Sequence, residues 1–220
     1  MTLGDWKHNE GLAARDLTCQ RSGVTVFSNL SFAVAPGELL RLQGPNGAGK
    51  SSLLRLLAGL LPLAAGTLTY TGANVSDDWS AFQEKLHYTG HLDPVKPALT
   101  VAENLTFWVQ LAGASPDDIR PALKQLGIAG IADIPARFLS AGQRRRLSLA
   151  RLAAIARPVW LLDEPTVALD QDAIGRFAEL TADHLARGGI AIAATHTELG
   201  LAHTRILDFT ELGSPCAASF

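Results

Sequence analysis

Cysteine, clustered positive charge and long apolar runs are all scarce in this 220-residue chain, and each scarcity removes a class of protein. The two cysteines, Cys19 and Cys216, stand at opposite ends without metal-ligand spacing, which excludes a disulfide scaffold and suits a reducing compartment. There is no Cys-x-x-Cys-His, so no covalent haem attachment. Nineteen basic residues against 21 acidic ones give a net charge of −2 without a concentrated basic face. Nucleic acid is therefore excluded as the main partner, because that binding needs many Lys and Arg contacts to phosphate. No uncharged apolar run reaches the ~18 residues of a membrane span, and the start MTLGDWKHNE lacks an apolar signal region. The expectation is a cytosolic chain that reaches a membrane only through a partner. Internal repeats, low-complexity tracts and linkers are also missing. With 47% hydrophobic and 18% charged residues, what is left is an ordinary globular chain with one large core or two unequal lobes.

What is present begins with GPNGAGKSS. Gly44, Pro45, Asn46, Gly47, Ala48, Gly49, Lys50, Ser51 and Ser52 fit the phosphate loop G-x-x-x-x-G-K-[ST] in full, between an apolar strand pattern (38–42) and a helical one. The glycines let the backbone curl with positive φ, so that successive N–H groups point into one phosphate-sized concavity. The helix that follows places about half a positive charge beside the anion. Lys50 adds a full charge within reach of the β and γ phosphates, and the Ser51 hydroxyl is a Mg²⁺ ligand candidate.

In chain order, 12–17, 24–27 and 30–34 read as short strands of a small antiparallel layer. A helix from Lys50 stops near Pro62, and strands follow at 66–72 and 86–88. Thr100 caps a helix to about Leu111, and Ser115-Pro116 opens another closed by Gly127. Ser140 opens a third, expected to run to Arg157 before Pro158. The middle, about 92–157, is thus a helical insertion between strands. Apolar strands at 159–163 and 190–195 flank an amphipathic helix at 170–186, and this alternation predicts a parallel α/β core.

VWLLDE, residues 159–164, is the second chemical pattern. An apolar strand ending in two carboxylates delivers Asp163 to the carboxyl edge of a parallel sheet, where open α/β folds bind ligands. Asp163 is placed to hold Mg²⁺ through its water shell, and Glu164 to polarise a water for in-line attack. The plainer alternative is an acidic pair at a strand end.

LSAGQ, residues 139–143, is the third. It differs by one residue from the LSGGQ signature of ATP-binding cassette (ABC) ATPases, which the chain resembles. The other motifs of that family stand here in its order: the Walker A loop at 44–52, Walker B at 159–164, a D-loop at Ala168-Leu169-Asp170 and a switch histidine at His196. The resemblance spans about residues 11–210. It implies a single domain over 1–220: a P-loop NTPase (RecA-like) α/β core with an antiparallel β layer, about 11–91 and 158–210, and a helical subdomain carrying the signature, about 92–157. It also implies ATP and Mg²⁺, and a second cassette facing the first head to tail. Ser140, Gly142 and Gln143 would then bind the nucleotide held by the partner's Walker A, as a helix N-terminus suits. His196 would bond the γ phosphate and hold the attacking water with Glu164; a strand-end histidine capping the next helix is the alternative. The Arg144–Arg146 run reads as a solvated helix face, with Arg146 the member expected to have a structural partner.

Two positions depart from the family pattern. The aromatic residue that usually stacks on adenine is replaced near 17–20 by Arg21, whose guanidinium plane also stacks on bases; it is otherwise a loop residue. The glutamine-loop slot holds His91, whose neutral imidazole accepts from metal-bound water, making it a metal-site candidate. His87, His184 and His203 receive only core or surface roles. The stretches YTGH, ENLTF, LSAGQRRRLSLARL and GGIAIAATH resemble in particular the ATP-binding subunits of the cytochrome c biogenesis system, historically the haem exporter. That likeness implies an ATP-hydrolysing translocase subunit at the cytoplasmic face of the bacterial inner membrane, docked on an integral membrane subunit around Lys96 to Trp108, without a haem ligand of its own. The competing functions are a nucleotide-gated binding module with little turnover, the ATPase of another small-substrate exporter, and a soluble ABC ATPase of DNA repair or translation. The last is disfavoured by the single cassette and the lack of a basic arm.

Overall fold

The computed structural model describes residues 11–210; Met1–Glu10 and Cys216 lie outside the described residues. Strands β1 (Leu12–Arg21) and β2 (Val24–Val34) form one long antiparallel hairpin, turned at Ser22 and Gly23, both with positive φ. Three short strands were the expectation. Positive φ at Asp16 and Asn29 accompanies register shifts that interrupt the period-two alternation, so two continuous strands read as pieces. Then follow β3 (Leu39–Gln43), α1 (Lys50–Leu57), β4 (Ala65–Tyr70), β5 (Ala73–Asn74), α2 (Trp79–Gln83) and β6 (Leu86–Thr89). The helical segment holds α3 (Val101–Leu111), α4 (Ile119–Gln125) and α5 (Ala141–Ala154), and the chain continues through β7 (Val159–Asp163), α6 (Gln171–Ala186), β8 (Ile190–Ala194) and β9 (Thr204–Asp208).

Two sheets result. The antiparallel one runs β2-β1-β4-β5, and the parallel one β6-β7-β8-β3-β9. α1 lies between them, which its sequence demands: Leu53, Leu54, Leu56 and Leu57 are all fully buried, and a helix apolar around most of its girth must be covered on more than one side. At roughly 1.5–3 kcal/mol per buried leucine, this helix is anchored by its side chains before any ligand arrives. On β7, Val159 and Leu161 face the α1 core, while Trp160 and Leu162 face a second core built with α3 to α6. A strand buried on both faces reads as the unbroken apolar run found in the sequence.

The helix starts follow their caps. Thr100 and Glu103 exchange side-chain and backbone hydrogen bonds as a capping box, and Ser140 and Gln143 do the same at α5. α5 stops at Ala154 rather than Arg157, because Ile155 turns extended, buries its side chain and accepts a hydrogen bond from His87 Nε2 at 2.8 Å. The stretch before Pro158 is disfavoured for helix in any case. β9 was not legible: as an edge strand with Thr204, Arg205 and Ile206 exposed, it lacks apolar alternation. Cys19 is buried, which pushes its thiol pKa up and leaves it unreactive.

The ring of His184 stacks flat on Trp160, 3.8 Å between centroids, and a Cβ on Gly189 would land on that imidazole. Burial lowers the pKa of both His87 and His184 to about 4, from 6.5. Unfolding thus takes up protons below pH ~6.5, so the stability these neutral rings contribute is complete above that pH and is lost as pH falls toward 4. Each such proton adds about 1.4 kcal/mol per pH unit. The melting temperature is therefore expected to fall between pH 7 and 5, and Glu or Asp titration lies below that window. His87→Gln, which keeps a donor for Ile155, should make that slope shallower; an unchanged slope in a thermal denaturation series would refute the assignment.

Candidate nucleotide site

Four parallel strands, β6, β7, β8 and β3, end at the same edge of one sheet, and the chemical motifs sit on those ends. The phosphate loop leaves β3. Gly44, Gly47 and Gly49 have φ of 140, 82 and 105°, as the curled loop requires. A Cβ on Gly44 would meet Phe209 at 2.9 Å, and one on Gly49 would meet Val26 at 2.9 Å and Phe27 at 3.3 Å. The loop is thus cast against Phe209, just past β9, and against the β1–β2 hairpin. Lys50 is buried and donates to the carbonyls of Gly44 and Pro45, at 2.6 and 2.9 Å, spanning the loop. No side chain caps the N-terminus of α1, leaving its first N–H groups for an anion.

From β7 comes Asp163, nearly fully buried, whose Oδ1 accepts from Ser51 Oγ at 2.8 Å. A hydroxyl and a carboxylate oxygen converging beside a phosphate cradle are the hard oxygen donors Mg²⁺ takes. Glu164, next in the chain, is held in a left-handed backbone conformation, φ 48°, unusual outside glycine. From β8, the middle strand, comes His196, exposed, with Nε2 at 3.8 Å from Glu164 Oε1. Thr166 lies between Thr195 and Thr197, 3.3 and 2.9 Å away by hydroxyl contacts, and so pins the segment after Walker B to the one bearing His196.

The remaining expected site residues are distributed as follows. Ser140, Gly142 and Gln143 lie at the start of α5, where Ser140 Oγ accepts from Gln143 N (3.2 Å) and Gln143 Oε1 from Ser140 N (2.9 Å). Their hydrogen bonds stay within that turn and do not reach the phosphate loop. A Cβ on Gly142 would meet the Ala168 carbonyl at 2.7 Å, so the signature glycine permits the D-loop to pass. Arg21 is exposed and closes β1 opposite Val24, which corrects its reading as a loop residue. The hairpin it ends is the one touching Gly49. His91 is exposed beyond β6, and among the described residues no hydrogen bond or ion pair joins it to Ser51, Asp163 or Glu164. Trp108 is half-buried beneath Arg151, 4.0 Å away, and donates to Pro94 O.

Sequence reading missed the arginine that matters structurally. It is Arg145, not Arg146, that is buried, with 3% exposure. Its Nε bonds Pro165 O (3.0 Å), one terminal nitrogen bonds Gly90 O and Asp93 Oδ1 (3.1 and 2.9 Å), and the other bonds the carbonyls of Asp163 and Glu164 (3.1 and 2.8 Å). The available signal was its spacing, four and seven residues before Leu149 and Leu152 on the buried face of α5.

Such a site, a phosphate loop faced by a Walker B carboxylate across one intervening strand, defines a P-loop nucleotide hydrolase. The chain belongs to the ABC transporter family, whose pattern matches residues 27–167, and is an ATP-binding cassette ATPase. It is similar to the cytochrome c biogenesis ATP-binding export protein CcmA of Rhodopseudomonas palustris strain BisB5, 53% identical over 87% of this chain and 94% of that one. It is likewise 51% identical to the CcmA of Rhodospirillum rubrum, over 89% of this chain and 84% of the relative. Two solved structures share the fold: an ATP-binding subunit of an ABC transporter (TM-score 0.79, 22% identity, covering 90% of this chain and 86% of that one) and an ABC transporter ATP-binding protein from Pyrococcus furiosus (TM-score 0.81, 23% identity, 93% and 100%).

Gly49→Ala would force an L side chain to φ 105° and into Val26, so ATP affinity should drop by about 10-fold or more, given the ~1–2 kcal/mol cost of the left-handed region. Gly130→Ala, where no atom lies within 4 Å of the added Cβ, is the control. Titration with a fluorescent ATP analogue measures both, and equal affinities would contradict the constraint.

Proposed function

We propose that this chain is the energy-coupling ATPase subunit of a membrane complex that handles haem for c-type cytochrome biogenesis. The observation that carries the catalytic part is the 2.8 Å contact between Ser51 Oγ and Asp163 Oδ1, with Glu164 and His196 beside it. The half-identity to CcmA proteins over nearly their whole length supports the biological part. ATP would lie with its phosphates in the loop 44–52, cradled by backbone N–H groups and Lys50, and its adenine toward the β1–β2 hairpin where Arg21 offers a stacking plane. Ser51 and Asp163 would hold Mg²⁺, which when bound neutralises charge on the β and γ phosphates. Glu164 accepts a proton from the attacking water, and His196 donates toward the γ phosphate and orients that water. His91, at the carboxyl end of β6, faces solvent on the same sheet edge and is assigned to relay the γ-phosphate state to the partner.

The helical segment 92–157 forms the second lobe on a nucleotide-binding core of 11–91 and 158–210. Its signature residues, Ser140, Gly142 and Gln143, are assigned to the nucleotide of a second cassette by the likeness to the ABC family. No helix of the described residues is long and apolar enough to cross a membrane. Attachment to the cytoplasmic face of the inner membrane is assigned to an integral subunit docking near Lys96 to Trp108, where Phe107 is exposed, as is Leu92 just before that stretch.

Glu164→Gln should lower ATP hydrolysis about 10²–10⁴-fold, or 3–5 kcal/mol of barrier, while accumulating an ATP-dependent dimer in size-exclusion chromatography. Parental turnover would overturn the base assignment. Parental phosphate release by Lys50→Ala would favour a binding module over an ATPase. Purification from membranes through this chain should co-isolate an integral haem-handling subunit; a lipid or drug exporter in its place would reject the biological reading.

A further inference from the structure

Arg145 occupies a position that the nucleotide chemistry leaves unexplained. A guanidinium has five N–H donors, and all five are used here, on five acceptors drawn from two separate segments. Three acceptors are consecutive carbonyls, Asp163, Glu164 and Pro165, at the end of Walker B. The other two, Gly90 O and the Asp93 carboxylate, flank His91. The arginine itself rides on α5, two residues past the signature. One buried cation therefore ties α5 to the segments that follow β6 and β7, two of those at that edge of the sheet.

Glu164 shows why such a fastening is needed. Its backbone sits in the left-handed region, a conformation that persists only where the surroundings over-determine it. It is gripped from both sides: its N–H donates to Ala194 O at 2.8 Å, and its carbonyl accepts from Arg145 at 2.8 Å. The carbonyl also accepts from Val167 N, but at 3.3 Å; without Arg145 only that longer bond holds the peptide, and the carboxylate shifts as the peptide relaxes. A buried fork of this kind is specific to arginine, since an ammonium offers three donors from one point and cannot reach five acceptors in a plane.

We propose that Arg145 is the positioning residue of this ATPase: it holds Glu164 in the strained conformation that aims its carboxylate at the attacking water, and links that geometry to α5 and the His91 segment. It touches no substrate and acts only through Glu164. The inference rests on the proposed role of Glu164 as the base.

The test uses the full chain, assayed with its co-purified membrane subunit, as Arg145→Lys, Glu164→Gln and the double variant. For Arg145→Lys, kcat should fall about 10- to 100-fold, the scale of a small misplacement of a reacting group. KM for ATP and the affinity for a fluorescent ATP analogue should stay within about 3-fold of parental, the signature of lost transition-state rather than ground-state binding. In the Glu164→Gln background the same change should cost less than about 2-fold, because the group it positions is gone. Parental kcat in Arg145→Lys, or an equal loss in both backgrounds, overturns the inference. Should Arg145→Lys not fold, Asp93→Ala, at a half-exposed acceptor, should still lower kcat about 3- to 10-fold at constant KM; unchanged kcat there overturns it. Full turnover by Glu164→Gln instead removes the base assignment itself, a failure distinct from the others.

Discussion

The Ser51 hydroxyl and the Asp163 carboxylate, 112 residues apart in sequence, meet at 2.8 Å, and the organisation of the nucleotide site depends on that meeting. Two strands have to end at one height on one edge for it to occur. β3 and β7 do so because both run parallel to β8, which lies between them and pairs with each. The register Leu42↔Ala194 and Asp163↔Ala194 puts the last residues of β7 and β8 level with Leu42, one residue before the end of β3. The phosphate loop, the Walker B carboxylates and His196 are then neighbours by construction. A β8 slipped by one residue would turn its alanines to the opposite faces and displace His196 from Glu164.

The same register explains how the scaffold absorbs the local strain. Positive φ at Glu164, at Ala168 and at the loop glycines costs conformational energy that a flexible loop would release. Three of these points are held by packed neighbours: Gly49 against Val26 and Phe27, Gly44 against Phe209, Glu164 between Ala194 and Arg145. These anchors come from the antiparallel layer, the edge strand and the helical lobe respectively. The three parts of the molecule therefore share one task at the sheet edge, which is to keep a short stretch of backbone in a shape it would not choose alone.

Legibility in the sequence followed the locality of the cause. The caps at Thr100, Ser115 and Ser140 were readable because a cap is settled by residues two or three apart. The apolar strands β7 and β8 were readable because burial on both faces leaves an unbroken run. β1 and β2 looked like fragments because register shifts at Asp16 and Asn29 break the alternation, and β9 looked like loop because an edge strand needs no apolar face. The Arg144–Arg146 run misled for a related reason: three adjacent like residues point in three directions on a helix, and choosing the buried one requires knowing which acceptors wait inside.

Taken alone, the chain of residues determined the phosphate loop, its lysine and serine, the paired carboxylates, the signature and the alternation of strands and helices, since each is written within a few consecutive residues. Tertiary structure alone decided that β8 separates β3 from β7, that Phe209 and the first hairpin form the floor of the loop, and that Arg145 gathers five acceptors from two segments. Those arrangements depend on which strands pair and how far their ends reach. Pairing is a property of the whole sheet, with Leu39 of β3 set beside Thr204 of β9 across most of the chain, and no local stretch carries that information.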